Sequence, residues 1–308
     1  MKVGVIGLGS MGMGAALNLA AKGHAVHGCE PREAARAELV AAGGQAVGRA
    51  ADLPTDLAAL VVFVVNLAQV EAVLFGPEGA IKRLAPGCVV LCCTTIAPEA
   101  ARGLEARLAA RGLLMLDAPV SGGAGAARAG SMTVMASGSP AAFAAAEPVL
   151  AAISAKVWRL GDAAGIGSTV KMVNQLLAGV HIATAAEALA LGIRAGADPQ
   201  TLFEVISSSA GSSWMWQNRV PHILAGDDTP LSAVNIFVKD LGIVLDQARA
   251  LTFPLPMAAA AHQLFLAAAA AGHGGRDDAF VIRFWQALAG IALPGAAGAD
   301  GEAVKDRG

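Results

Sequence analysis

The apolar positions change rhythm once along the chain. From residue 1 to about 160, short β-branched runs alternate with Ala-rich stretches of helical period, the order expected of βαβ units around a parallel sheet. The spacing predicts strands at 3–6, 25–30, 60–65, 89–93, 113–117 and 132–137, and helices at 13–22, 31–42, 68–75 and 98–111. These strands are continuously apolar, so helices are expected on both faces of the sheet. After Trp158-Arg159-Leu160-Gly161 a Gly-rich stretch, 161–167, opens into an unbroken helical pattern from about Ser168 to Ala195, and no strand alternation returns. At 1.5 Å per residue that helix is about 40 Å long, and it is apolar around most of its circumference. It suits the centre of a helical domain and part of a subunit interface. The pattern thus predicts an α/β Rossmann-type doubly wound sheet domain over 1–162 and an all-α domain built on a long central helix over 163–294, with 295–308 as a flexible tail.

A length of 308 residues suits two domains, and 55% hydrophobic against 15% charged residues implies a large buried surface, including a subunit interface; a homodimer or homotetramer is the expected assembly. The formal net charge is −2, with Lys and Arg scattered, which leaves no basic stripe for nucleic acid. The apolar runs 175–186 and 257–271 are interrupted by His181 and His262 and stop short of the roughly 18–20 residues of a membrane span. The chain starts directly in a strand, without a signal-peptide pattern, and a cytoplasmic location follows as the expectation. Cys29, Cys88, Cys92 and Cys93 lie in strand-like segments and read as buried structural thiols, and the six histidines form no metal-ligand pattern. His181 reads as a core histidine.

Chemistry enters at Gly7-Leu8-Gly9-Ser10-Met11-Gly12, a G-x-G-x-x-G directly after the first strand and opening the first helix. Gly7 permits the tight turn, Gly9 lets backbone approach a pyrophosphate, and Gly12 lets helix and strand pack closely. Glu30, 18 residues beyond Gly12 at the end of the second strand, is placed to accept the ribose hydroxyls and to repel a 2′-phosphate. The cofactor is read as NAD, with NADP left open because Arg32 stands two positions after Glu30. Asn66 and Thr95, at strand ends, would lie on the carboxyl edge of the sheet, where dinucleotides bind; both also read as loop caps.

Hydride transfer to nicotinamide needs a group that takes the hydroxyl proton. The chain has no tyrosine, which excludes a Tyr-based relay. Among His and Lys, Lys171 stands out near the start of the long apolar helix, because apolar surroundings draw a lysine toward the working range of a general acid/base. Gly167-Ser168-Thr169-Val170-Lys171-Met172-Val173-Asn174-Gln175, Asp117-Ala118-Pro119-Val120-Ser121-Gly122-Gly123, the segment 7–18 and Val238-Lys239-Asp240-Leu241 together resemble the β-hydroxyacid dehydrogenase family, which includes 3-hydroxyisobutyrate dehydrogenase and tartronate semialdehyde reductase. The resemblance spans about 235 residues in the family order, and segments at 9–17, 130–139, 175–183, 213–219 and 232–241 place it in a subgroup. It implies an NAD-dependent oxidoreductase of a small hydroxy acid, of the sugar-acid type. Lys171 would be the acid/base, Ser121, Gly122 and Gly123 would hold the substrate carboxylate, and Lys239 would lie near nicotinamide and substrate. Gln175 stands where many relatives carry Asn, with Asn174 beside it, and either amide could touch substrate. Trp214 and Met215 read as core or pocket residues. An idle dinucleotide-binding scaffold or sensor is the reading from another class.

Overall fold

Residues 1–294 are described by the computed structural model, and the tail expected at 295–308 lies outside them. The chain divides into two units, Met1–Val173 and the segment from Asn174 onward.

The first unit is built on six parallel strands: β1 (Lys2–Ile6), β2 (Ala25–Cys29), β3 (Gln45–Val47), β4 (Ala59–Val62), β5 (Val89–Cys92) and β6 (Leu114–Asp117). Their order is β3-β2-β1-β4-β5-β6, the doubly wound arrangement that the alternating pattern predicts. Successive side chains of a strand point to opposite faces, and both faces here are apolar. Val3, Val5, Val61, Val89 and Leu91 pack into one core, while Ile6, Leu60, Val62, Val90 and Cys92 pack into the other. The helices α1 (Ser10–Ala21), α2 (Glu33–Ala41), α3 (Leu67–Phe75) and α4 (Pro98–Ala109) link these strands.

Two differences from the expected strands have simple causes. β3 is three residues long, lies between Gly44 and Gly48 and is at most half-buried, so it leaves no periodic signal. The strand expected at 132–137 exists, as β8 (Met132–Ala136), but outside the main sheet. It sits between β7 (Val120–Ser121), which runs antiparallel to it, and β9 (Ser154–Arg159), which runs parallel. β7 follows β6 after only Ala118-Pro119 and takes β8 as its antiparallel partner, so β8 joins β7 and β9 and not the parallel sheet. Two further helices belong to this unit. They are α5 (Gly123–Arg128) and α6 (Pro140–Ile153), the latter capped by Ser139, whose Oγ accepts from Ala142 N at 3.2 Å.

The long helix, α7 (Ile166–Arg194), starts two residues before its expected position and ends one residue early. Its most apolar 18 residues have a mean hydropathy of 1.7, so by length and composition it could cross a membrane, which the shorter runs read from the sequence did not indicate. Of that window 44% is buried within the chain. His181 on this helix is exposed, against the expected core placement, because residues 181, 184, 187 and 188 all lie on a solvent-facing side. The second unit contains α8 (Pro199–Ser207), α9 (Trp214–Ala225), α10 (Val234–Ala250), α11 (Pro256–Ala268) and α12 (Arg283–Ala289), with no strand among its described residues. Its core includes Phe237 stacked on Phe265 at 5.2 Å.

All four cysteines are buried free thiols, as their strand positions suggest. Burial pushes the Cys92 thiol up to about 12, far from the reactive thiolate.

Candidate active site

The glycine turn closes the gap between β1 and α1 as its spacing requires. Gly7 adopts φ 88° and donates its N–H to Cys29 O at 2.9 Å. A Cβ on Gly12 would stand 1.8 Å from Gly7 O and 3.1 Å from the Phe63 Cβ, so the helix can start this close to the strand only with glycine there. A Cβ on Gly9 would meet nothing within 4 Å, so the turn has an open side. The first turn of α1, with Ser10 and Met11, contains no acidic residue, and no side chain caps it. A helix start with uncapped N–H groups and an open glycine face fits a diphosphate. Gly12→Ala is expected to raise the NAD dissociation constant at least tenfold in a fluorescence titration, since the added methyl must push the turn apart; binding unchanged within twofold would exclude that role for the turn.

Glu30 follows β2 directly and is buried. Its Oε2 accepts from Leu8 N at 3.0 Å, and its Oε1 accepts from Arg32 Nε at 2.8 Å and Arg32 N at 3.3 Å. Burial by itself pulls this carboxyl up, but the hydrogen bonds from Arg32 and from the Leu8 N–H outweigh it and leave the pKa lowered. An ionised carboxylate offers about four acceptor positions, so these three bonds leave room for a ribose hydroxyl. Arg32, mostly exposed, also donates to Leu8 O at 3.2 Å. The charge that could favour a 2′-phosphate is therefore engaged with the acid that disfavours one.

Asn66 caps α3, its Oδ1 accepting from Gln69 N at 2.9 Å. Thr95 lies three residues past β5 and is half-buried. Its neighbour Thr94, which no motif in the sequence marks, is buried and donates its hydroxyl to Val64 O at 2.8 Å, tying together the loops that leave β4 and β5. Ser121 ends β7, and Gly122 and Gly123 follow with φ of 126° and 66° at the start of α5.

Lys171, six positions into α7, is 7% exposed and belongs to the same unit as the glycine turn and the Ser121-Gly122-Gly123 segment. The start of its helix is held by Asp117 at the end of β6, which is 0% exposed. Asp117 Oδ2 accepts from Gly165 N and Ser168 N, both at 2.9 Å, and Oδ1 accepts from Ser168 Oγ at 2.7 Å. Burial pushes this carboxyl up, and the bonds from Ser168, Gly165 and Ser137 pull against that shift.

The second unit holds Asn174, Gln175 and Lys239. Asn174 Nδ2 donates to Gln175 Oε1 at 3.0 Å, Gln175 Nε2 donates to Asp240 Oδ2 at 2.5 Å, and Lys239 Nζ donates to Asp240 Oδ1. The two amides and the lysine thus form one chain through a carboxylate that is 2% exposed. The ion pair of Lys239 with Asp240 is mostly buried, with side chains 20% and 2% exposed. Trp214 stands 60% exposed at the first turn of α9, whereas Trp216 is the buried one, so Trp214 is not a core residue. Among the described residues, no group of three or more His, Cys, Asp or Glu could hold a metal ion.

Comparison with known proteins places these features in a lineage. Residues 2–161 match the family model described as the NAD binding domain of 6-phosphogluconate dehydrogenase, and residues 165–285 match the model described as NAD-binding of NADP-dependent 3-hydroxyisobutyrate dehydrogenase. The chain is 56% identical over 295 residues to an L-threonate dehydrogenase of Cupriavidus necator, covering 96% of this chain and 98% of the relative. An L-threonate dehydrogenase of Escherichia coli K12 is 51% identical over 295 residues, covering 96% and 97%. Among solved structures, a 3-hydroxyisobutyrate dehydrogenase from Salmonella typhimurium is 49% identical with a TM-score of 0.89, covering 92% of this chain and 99% of that one.

Proposed function

The chain belongs to the 3-hydroxyisobutyrate dehydrogenase-like family of β-hydroxyacid dehydrogenases, and from that premise we propose that it oxidises L-threonate at the C2 hydroxyl to 2-oxo-tetronate with NAD. The observation that carries the substrate is the 56% identity, over nearly the whole of both chains, to an L-threonate dehydrogenase. NAD, when bound, supplies the acceptor for the C2 hydride. Gly7, Gly9, Ser10, Met11 and Gly12 cradle its diphosphate, Glu30 takes the adenosine ribose, and Asn66 and Thr95 border the dinucleotide at the carboxyl edge of the sheet. Lys171 receives the C2 hydroxyl proton, and its burial supports that role over a solvated surface ammonium. Ser121, Gly122 and Gly123 hold the substrate carboxylate. In the second unit Gln175, with Asn174 bonded to it, and Lys239 are the groups assigned to substrate, and Asp240 keeps Gln175 and Lys239 oriented.

The functional boundary is set at 162/163, which the matched ranges 2–161 and 165–285 support. The enzyme is cytoplasmic and works as a homodimer or homotetramer. The oligomer is supported by Ile166, Val170, Val173 and Leu177, exposed apolar residues at helical spacing along α7. A second reading, 3-hydroxyisobutyrate oxidation, is favoured by the 49% identity to the solved Salmonella enzyme of that description.

A panel of hydroxy acids tests both. L-threonate, 3-hydroxyisobutyrate, D-glycerate as the reverse substrate pair of tartronate semialdehyde, and L-serine are assayed with NAD and with NADP. We expect kcat/KM to be at least tenfold higher for L-threonate than for any other acid, and higher with NAD than with NADP. A tenfold preference for another acid overturns the substrate, and a tenfold preference for NADP overturns the cofactor. No NADH above background with any acid would support the scaffold reading instead.

A further inference from the structure

We infer that Asp117 is a positioning residue for Lys171, setting the register of α7 on which the amine depends; the inference rests on the acid/base role proposed for Lys171. The first N–H groups of a helix have no partner inside it. At α7 these groups are met by side chains that come from far away in the sequence. Asp117 takes the N–H of Gly165 and of Ser168, each at 2.9 Å, and the hydroxyl of Ser168 at 2.7 Å. Ser137 takes the N–H of Gly167 at 3.0 Å and donates to Asp117 Oδ2 at 3.3 Å. The helix start cannot slide past this anchor. A Cβ on Gly167 would stand 2.5 Å from Met135 O and 2.7 Å from Asp117 O, so the backbone of α7 is packed directly on the ends of β6 and β8.

Lys171 follows Ser168 by three residues, about 4.5 Å of rise and most of one turn. Fixing Ser168 in height and rotation therefore fixes where the Lys171 side chain leaves the helix. Asp117 also holds the other end of the arrangement. Its own N–H and C=O pair with Ser137 O and Ser137 N, both at 2.9 Å, and four residues later comes Ser121, which opens the proposed carboxylate cradle. One residue thus ties the substrate-binding segment to the helix that bears the base. A fully buried carboxylate is a costly way merely to cap a helix, since asparagine caps about as well without a charge. What the carboxylate adds is three or more acceptor positions converging on donors whose spacing sets the helix register.

The experiment compares Asp117→Asn and Ser168→Ala, each alone and each combined with Lys171→Ala, by steady-state kinetics on the best acid of the panel and by NAD titration. If Asp117 acts through Lys171, Asp117→Asn lowers kcat by about 100-fold and Ser168→Ala by about tenfold, the scale of a displacement near 1 Å at a reacting group. NAD affinity then stays within twofold. In the Lys171→Ala background neither substitution lowers the residual turnover further, because the group they position is gone. Losses that multiply in that background, or a kcat within twofold of the parent for both single variants, overturn the inference and leave Asp117 a structural cap. Should Asp117→Asn fail to fold, Ser168→Ala with and without Lys171→Ala decides the same question. Near-normal turnover of Lys171→Ala alone is a separate result, and it removes the acid/base reading on which the inference stands.

Discussion

Replacing Lys171 with alanine is expected to lower kcat by about 10²- to 10⁴-fold, the usual span for loss of a general acid/base, with NAD affinity little changed. The chain has no tyrosine to take over the proton, and the residues that recommend Lys171 are backbone and burial features rather than charge alone. It is 7% exposed on a helix whose start is bonded to the sheet, so its position is fixed before substrate arrives. The diphosphate cradle proposed at α1 and the ribose role proposed for Glu30 do not involve Lys171, so truncating it is expected to leave NAD binding unchanged. A fall in kcat and kcat/KM together, with an unchanged NAD titration, is the signature of an interaction made only in the transition state. Lys171→Arg is expected to recover little, because guanidinium stays protonated at all working pH values. Turnover of Lys171→Ala within about threefold of the parent would remove the residue from the chemistry.

Local pattern and tertiary bonding divided the work of making this site legible. The glycine turn and Glu30 could be read because strand, glycines, helix and acid follow one another at fixed spacing within 30 residues. The long helix was equally plain, since its 29 residues contain no breaker strong enough to interrupt them. Asp117 was visible as part of a motif, but not its task, because its partners Gly165 and Ser168 lie 48 and 51 positions away and no periodicity links them. The same holds for Asp240, whose bond to Gln175 spans 65 positions. The separate sheet of β7, β8 and β9 was missed for a geometric reason: a strand of two residues and one with polar faces do not register as apolar runs. His181 went wrong for the opposite reason, since its apolar neighbours in sequence point elsewhere around the helix.

The largest effect on stability is expected at a pair in the second unit that takes no part in the chemistry. Arg219 on α9 and Asp278 form a two-pronged ion pair, Nε to Oδ1 at 2.6 Å and Nη2 to Oδ2 at 3.1 Å, with the Asp278 side chain fully buried. Burial pushes the Asp278 carboxyl up to about 6 even though Arg219 pulls it down, so the cost of removing these charges from water exceeds what the pairing returns to the carboxylate. The pair therefore fixes how the segment at 278–282 lies on α9 more than it adds net stability. Breaking it is another matter. Asp278→Ala strands a buried guanidinium whose remaining side-chain partner is the Asn218 carbonyl, and the loss should be about 3–5 kcal/mol, the cost of an uncompensated buried charge. At about 2–4 °C per kcal/mol for a unit of this size, thermal unfolding should come roughly 10 °C earlier. The double replacement Arg219→Met with Asp278→Leu should cost less than Asp278→Ala alone, because it leaves neither charge behind. A melting temperature for Asp278→Ala within about 2 °C of the parent, or a double variant less stable than that single one, would show that the buried pair is not what holds these two elements in place.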